Sequence, residues 1–310
     1  MYLFDNKISL DTRDDLQPYL DGYEYKTSGL SFTSLYMWRD VNDFCWDIFG
    51  DYACICGISH LELEDGIILP FMSPPLTKDG EYNKDSIRES IFLAKEHFEK
   101  QGQPFSIRLV PPSLVKLISE AVPEMEWIDD RPNYDYIYDV DQLVELKGRK
   151  FHGKKNHLNY FKANNEYEYV PMTSAMTDDL MDYVRAFNAR KDIPANEMEL
   201  LKFEENAMED VFSNLEATGM KGGVIKINGK IEAIAAGGRL GSDMIVEHIE
   251  KANVDFRGLY PAINNEFSKS VQGWAKYMNR EEDMDIMNLR KAKLSYRPVE
   301  ILEKYIGVFK

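Results

Sequence analysis

Residues 243–265, DMIVEHIEKANVDFRGLYPAINN, decide how the rest of the chain is read. An apolar run enters two ionisable doublets, Glu247-His248 and Glu250-Lys251. A short loop follows with Arg257-Gly258 at its end, and an amphipathic helix begins near Leu259. A strand that exits through charge and turns on glycine into a helix is a common anion or cofactor site, because the first N–H groups of the helix are unpaired. Strand alternation predicts Val246, His248 and Glu250 on one face and Ile245, Glu247 and Ile249 on the other. That spacing sets His248 and Glu250 roughly 6.5–7 Å apart. A histidine and a carboxylate so placed can take a proton from an attacking amine and relay it. The plainer alternative is a strand end with solvated charges. Gly258 would let backbone N–H groups approach a ligand, and Arg257 would add charge for a phosphate or carboxylate. A helix cap beside a solvated arginine is the alternative there. His-x-Glu alone lacks a third metal ligand, and no metal is expected.

Outward from this junction, element order repeats. The first half reads as helices at 9–21 and 32–41, strands at 44–49, 52–58 and 66–71, a helix at 84–102 and a strand at 105–110. A helix at 112–121 and strands at 126–128 and 134–140 complete it. Ile87, Ile91, Ala94 and Phe98 give the 84–102 helix one apolar face. The second half reads as helices at 141–147, 174–190 and 196–218, with a strand at 167–172 before the second. A hairpin follows at 221–227 and 230–240 on Asn228-Gly229, the strongest short hairpin signal. Then come strand 243–250, helix 259–278, a strand near 283–287, helix 288–296 and a last strand 299–309. The repeat is one of order and not of residues. It implies two α+β domains, 1–140 and 141–310, each a mostly antiparallel mixed sheet flanked by helices. This order resembles the Gcn5-related N-acetyltransferase fold, whose acyl donor binds where a central strand splays from its neighbour. In the second half that splay would fall just after 248–251.

The chain has 310 residues, 44% hydrophobic and 12% aromatic, enough for a substantial core. Its net charge of −16 argues against a general nucleic-acid coat or a basic membrane-surface protein. No apolar run approaches the ~18 residues that a membrane helix needs, and no secretory leader is visible, so a cytoplasmic location is expected. Cys45, Cys54 and Cys56 fit a reducing interior and read as buried small side chains.

One stretch departs from the acidic average. Residues 147–165, KGRKFHGKKNHLNYFKANN, contain no acid, and include Lys150, His152, Lys154 and Lys155. Phe151, Leu158 and Phe161 would dock it as a helix with its basic face out. That face is either solvated or a contact for RNA phosphate. Residues 288–297 likewise hold Arg290, Lys291, Lys293 and Arg297 with no acid.

Several blocks, taken together, resemble one family. They are Leu146 to His157 (LKGRKFHGKKNH), Glu247 to Ala252 (EHIEKA), Asn279 to Asp283 (NREED) and Leu289 to Tyr296 (LRKAKLSY). In this order they are similar to soluble proteins carrying a domain like the C-terminal domain of phosphatidylglycerol lysyltransferase. The resemblance covers most of the chain and is densest over 143–305. It implies tandem acetyltransferase-type domains and transfer of an aminoacyl group from aminoacyl-tRNA, as in the related Fem peptidyltransferases. The chain departs in lacking the membrane-spanning part, which leaves a lipid head group, a peptide or a small molecule open as acceptor. It also has only a partial match, Asp255 to Tyr260, to the loop that grips a CoA pyrophosphate.

The expected function is therefore acyl transfer from aminoacyl-tRNA to an amine or hydroxyl. An acyl-CoA-dependent N-acyltransferase, or a non-enzymatic degenerate pair that binds a ligand or partner, are the alternatives. Expected catalytic residues are His248, Glu250 and Glu247. Expected donor contacts are Arg257, Gly258, Tyr260, Asn264, Arg290 and Lys293. Lys150, His152, Lys154 and Lys155 are the expected tRNA contacts. No tightly bound cofactor is expected beyond the donor substrate. The N-terminal half is expected to be the non-catalytic copy, since Met72-Ser73-Pro74-Pro75 puts prolines where backbone donors are wanted.

Overall fold

The computed structural model describes residues 3–58, 70–190, 194 and 198–310. The first half opens with β1 (Asn6–Lys7), α1 (Arg13–Asp21) and α2 (Phe32–Met37). Strands β2 (Cys45–Phe49) and β3 (Tyr52–Ile58) form a hairpin on Gly50, whose φ of +62° suits the turn. Then come β4 (Pro70–Met72), α3 (Lys84–Lys100), β5 (Ser106–Val110), α4 (Pro112–Ala121), β6 (Met125–Asp129) and β7 (Asp135–Asp139). Asn83 caps α3 by accepting the N–H groups of Asp85 and Ser86, and Ile87, Ile91, Ala94 and Phe98 bury its apolar face as expected.

The second half runs α5 (Val140–Glu145), α6 (His152–Asn164), β8 (Glu168–Pro171), α7 (Thr177–Asn188), α8 (Met198–Ser213) and α9 (Leu215–Thr218). It continues β9 (Lys221–Ile227), β10 (Lys230–Leu240), β11 (Met244–Ala252), α10 (Leu259–Val271), β12 (Tyr277–Asn279), α11 (Met287–Ser295), β13 (Glu300–Leu302) and β14 (Tyr305–Phe309).

These strands build two seven-stranded sheets, ordered β1-β2-β3-β4-β5-β14-β6 and β13-β7-β12-β11-β10-β9-β8. Each is antiparallel except for one central parallel pair, β4 with β5 and β11 with β12. The sheets do not part at residue 140. β7 lies in the second sheet between β12 and β13, and β14 returns to the first sheet between β5 and β6. The expected single strand at 299–309 is thus two strands in two sheets. The break between them holds Lys304, whose Nζ lies buried 2.8 Å from Asp135 Oδ1. Asp135 also accepts the Ser28 N–H and hydroxyl, each at 2.8 Å. Removing one member of so buried a pair would strand the other's charge, so this knot fixes the two sheets to each other.

Other boundaries moved for local reasons. α2 ends at Met37, short of the expected Val41, and all its residues are buried, with β10 and α8 against it. α10 ends at Val271 because Gly273, at φ +78°, turns the chain, so residues expected in the helix supply β12. The strand expected at 283–287 is a loop. Its alternation is deceptive: Met284, Ile286 and Met287 are exposed, and Asp283 instead organises the turn by accepting a fork from Arg290 at 2.7 and 2.8 Å. Of the strand expected at 66–71, residues 66–69 lie outside the described residues, as do 196–197 of the 196–218 helix. That helix does break, between α8 and α9. The three cysteines are free and buried.

Candidate active site

The second sheet does splay, but from Glu247 and so earlier than the expected point just after 248–251. β11 pairs with β12 only from Met244 to Val246, and among the described residues Glu247 to Ala252 has a strand partner only on the β10 side. That opening is the site. Its shape depends on a β-bulge. Ile249 lies opposite Ala236 and Glu247 opposite Gly237, so His248 is the extra, unpaired residue. A Cβ on Gly237 would sit 2.2 Å from the Val246 carbonyl oxygen, so the bulge requires glycine there.

The bulge overturns the simple alternation. With one residue taken out of the count, Val246 and Ile249 enter one core, and Ile245 and Ala252 the other. Glu247 and Glu250, expected on opposite faces, converge on one arginine. Arg280 Nε donates to Glu247 Oε2 at 2.6 Å, and its Nη2 donates to Glu250. Asn264 Nδ2 adds a bond to the same Glu250 oxygen at 3.2 Å. The Arg280 guanidinium lies over Tyr296 at 5.0 Å and Tyr138 at 5.6 Å. One cation thus faces two carboxylates out of water. Burial pushes the Glu247 carboxyl up to about 8, helped by Glu250 and opposed by Arg280. Its second oxygen, Oε1, has no hydrogen-bond partner among the described residues.

Beside this trio lies a cavity of about 450 Å³, lined by Lys154, Glu247, His248, Glu250, Tyr260, Arg280, Glu281, Leu289, Ala292, Lys293 and Tyr296. His248 has a 1% exposed side chain. Its Nδ1 lies 2.7 Å from Glu281 Oε1, and its Nε2 lies 2.7 Å from Thr33 Oγ1, with Ser31 Oγ behind at 3.4 Å. Glu281, 26% exposed, reaches the cavity more openly than His248 does. Burial alone would push its carboxyl up, but the bond to His248, with Lys293 and Lys304, holds it below the ordinary value. A carboxylate only accepts, so the proton shared by this pair sits on Nδ1, and in the neutral ring Nε2 accepts from the Thr33 hydroxyl.

The remaining expected residues divide. Lys154 turns off the basic stretch into the cavity, its Nζ 3.9 Å from the centre of the Tyr296 ring. Burial lowers its ammonium to about 8, with Arg280 adding to the effect. Lys293 also lines the cavity and donates to the carbonyl oxygens of Arg280 and Glu281. Tyr260 lines it from the first turn of α10. Lys150, His152 and Lys155 stay on the exposed face of their segment, Lys150 donating to Gln142 at 2.9 Å. Arg257 lies exposed over Tyr160 at 4.6 Å, and Arg290 is committed to the Asp283 fork. Neither lines the cavity. Gly258 does not either: at φ +89° it lets α10 meet α6, and a Cβ there would lie 2.2 Å from the His157 carbonyl oxygen. Its conformational freedom is used for packing.

Arg280, Glu281, Tyr296 and Thr33 are the site residues that periodicity does not reveal. Arg280 and Glu281 follow a strand hidden behind an apparent helix. Thr33 comes from the other half of the chain. The local signal was Gly237-Gly238 inside a strand, a pair that marks a bulge or a close backbone approach. Among the described residues no His, Cys, Asp or Glu cluster is placed to hold a metal, and no helix is long and apolar enough to cross a membrane.

Two helix-flanked mixed sheets, the second opened at a bulged central strand over a polar cavity, define a tandem acetyltransferase-like protein. The sequence profile of the family described as phosphatidylglycerol lysyltransferase, C-terminal, matches residues 21–307, and the chain belongs to that family. A conserved protein of unknown function from Bacteroides thetaiotaomicron is similar over 100% of both chains, at 30% identity and a TM-score of 0.89. L-PGS from Bacillus licheniformis is similar over 99% of this chain and 94% of its own, at 12% identity and a TM-score of 0.67. FemX is similar over 97% and 96%, at 10% identity and a TM-score of 0.65. The last two share the fold. No functionally curated protein matches the chain. Family membership makes acyl or aminoacyl transfer the general class of chemistry against which the site is judged.

Proposed function

We propose that this chain transfers an aminoacyl group from aminoacyl-tRNA to an amine or hydroxyl acceptor, at the cavity between β11 and α11. One observation carries the choice of donor. The two acid-free basic segments, 147–165 and 288–297, meet at the cavity, Lys154 of one touching Tyr296 of the other. In a chain of net charge −16 this gives a polyanion a local cationic landing beside the carboxylates. Membership of a lysyltransferase family supports the same reading.

The acceptor N–H or O–H attacks the aminoacyl ester carbon. Its proton passes to Glu281, which His248 orients. The ester C–O bond breaks, and the ribose oxygen leaves with a proton from Lys154, whose half-buried ammonium is a readier donor than a free lysine. Glu247 and Glu250 hold Arg280 across the cavity wall. Lys150, His152 and Lys155 contact tRNA phosphate. With such a donor the protein works in the cytoplasm.

The test is a gel shift with aminoacylated tRNA across salt concentrations, followed by single-turnover transfer to a panel of amines and hydroxyls. Binding that weakens steeply with salt is expected. Absence of salt-sensitive binding at low salt, with heat evolved on titrating acetyl-CoA, would replace this donor by acyl-CoA.

A further inference from the structure

We infer that the N-terminal half is a working part of the site, with Thr33 as a positioning residue that crosses from α2 to hold His248 and so aims Glu281 at the cavity. Thr33 stands in the first turn of α2, behind the capping residue Ser31, whose Oγ accepts the Ser34 N–H at 3.1 Å. The helix lies against β10 at Gly238. A Cβ on Gly238 would fall 1.8 Å from Thr33 Oγ1 and 2.5 Å from its Cγ2. The missing side chain is therefore the passage through which the hydroxyl reaches the bulge. Gly238 pairs with Val246, beside the bulge at His248. Two adjacent glycines thus serve one purpose: Gly237 permits the bulge that turns His248 out of the ladder, and Gly238 admits the group that catches it.

The choice of a hydroxyl has a physical reason. His248 is nearly sealed from water, and its Nδ1 is committed to Glu281. A buried ring nitrogen without a partner is costly in either protonation state. A threonine hydroxyl donates to Nε2 when the ring is neutral and accepts from Nε2–H when it is charged. It can follow a proton that arrives through Glu281, whereas a fixed donor or acceptor would suit only one state. Ser31 Oγ, 3.2 Å from Thr33 Oγ1, supplies the second partner that such a rotation needs. The chain Ser31–Thr33–His248–Glu281 thus starts in the N-terminal half and ends at the cavity.

The geometric claim stands independently of the donor, while its kinetic consequence rests on the transferase reading. The test compares Thr33→Val, which keeps shape and removes the hydroxyl, with Thr33→Ser, which keeps the hydroxyl. Gly238→Ala keeps the hydroxyl and displaces it. Imidazole ¹⁵N spectra of the full chain read the contact directly. In Thr33→Val and Gly238→Ala the Nε2 resonance should move downfield, toward that of a nitrogen without a hydrogen bond, and Thr33→Ser should restore it. In the aminoacyl-transfer assay Thr33→Val and Gly238→Ala should lose kcat by on the order of tenfold with KM kept, the worth of one orienting hydrogen bond. An Nε2 resonance unmoved in Thr33→Val overturns the inference, as does a loss that Thr33→Ser fails to restore. If the wild-type chain transfers nothing, the transferase reading fails, and the spectra alone still decide the contact.

Discussion

Both halves contain the same structural opportunity and use it differently. Each sheet has one central parallel pair, and past it the two strands separate. In the first sheet, β4 touches β5 only at Met72 and Ile107, and the chain then runs through Ser73, Pro74, Pro75 and Leu76. All four are buried, and Ala53 and Leu76 exchange backbone hydrogen bonds at 2.8 and 2.9 Å. The extension of β4 thus stays hydrogen-bonded to β3 as buried main chain. In the second sheet the corresponding strand continues as Glu247 to Ala252, bulged and charged, and leaves a cavity. The first half does have a cavity of about 430 Å³ at the start of α3, bounded by Tyr19, Tyr52, Tyr82, Asp51, Asp79 and Glu81. Among the described residues its only lining cation is Lys78, which lies over Tyr19 at 4.8 Å. An acid-rimmed opening without a buried cation is a poor place for a phosphate or a developing oxyanion. Two related sheets therefore differ less in architecture than in whether charge is buried at the opening.

The largest contrast should come from removing that charge. Arg280→Met would leave Glu247 and Glu250 facing each other out of water. A loss of about 3–5 kcal/mol is expected on chemical denaturation. Lys78→Met, at the exposed opening of the first half, should change stability by less than about 0.5 kcal/mol. Equal effects would mean that the Arg280 trio is hydrated in solution, and the contrast between the two openings would collapse.

The trio should also show itself in pH dependence. The folded-state pKa of Glu247 is raised above its unfolded value, so the folded chain holds that proton over the window between the ordinary carboxylate range and about 8. Its contribution to stability is complete below the unfolded value and is lost as pH rises through the window. A Glu247→Gln variant cannot titrate. Wild-type stability relative to this variant should fall by on the order of 2 kcal/mol from pH 5 to pH 7. Parallel stability curves for the two proteins would show that Arg280 already neutralises both carboxylates.

Gly258→Ala separates two readings of the α10 start. A Cβ there meets the His157 carbonyl oxygen at 2.2 Å, on a residue with φ +89°. A loss of about 1–2 kcal/mol is expected, with donor affinity little changed once the protein is folded. A stable variant that had lost donor binding would return Gly258 to the ligand site.

What was legible in the sequence follows from which forces act locally. Helices with one apolar stripe, such as α3, and the Asn228-Gly229 hairpin were readable because periodicity and turn chemistry decide them. The order of elements placed the splay just after 248–251, a few residues beyond Val246, where the pairing of β11 with β12 ends. Three things were not readable. The exchange of β7 and β14 between sheets is decided by long-range pairing around Asp135 and Lys304, which no local window contains. The shared face of Glu247 and Glu250 depends on a bulge that breaks the two-residue period. Glu281 sits at φ +58° beside a loop whose sequence mimics a strand, and it becomes a site residue by lining the cavity and bonding His248, neither of which a local window shows. The family blocks EHIEKA, NREED and LRKAKLSY do converge on one cavity, although composition gives no reason for them to meet.

The smallest effect concerns the basic stretch, and it divides α6 and the turn before it into two parts. Lys154 enters the cavity, while Lys150 and Lys155 remain outside, bonded to Gln142 Oε1 and the Glu145 carbonyl. The latter two make only exposed hydrogen bonds, so Lys150→Gln with Lys155→Gln should leave stability within about 0.5 kcal/mol of wild type. If they meet tRNA phosphate, the slope of log binding constant against log salt should become shallower by about one for each phosphate no longer neutralised. Transfer from bound donor should be unchanged, because neither group reaches the cavity. Lys154→Gln should do the reverse, keeping most of the salt slope while slowing transfer. An unchanged slope in the double variant would confine donor recognition to the cavity and leave the outer face of the basic stretch as solvated surface.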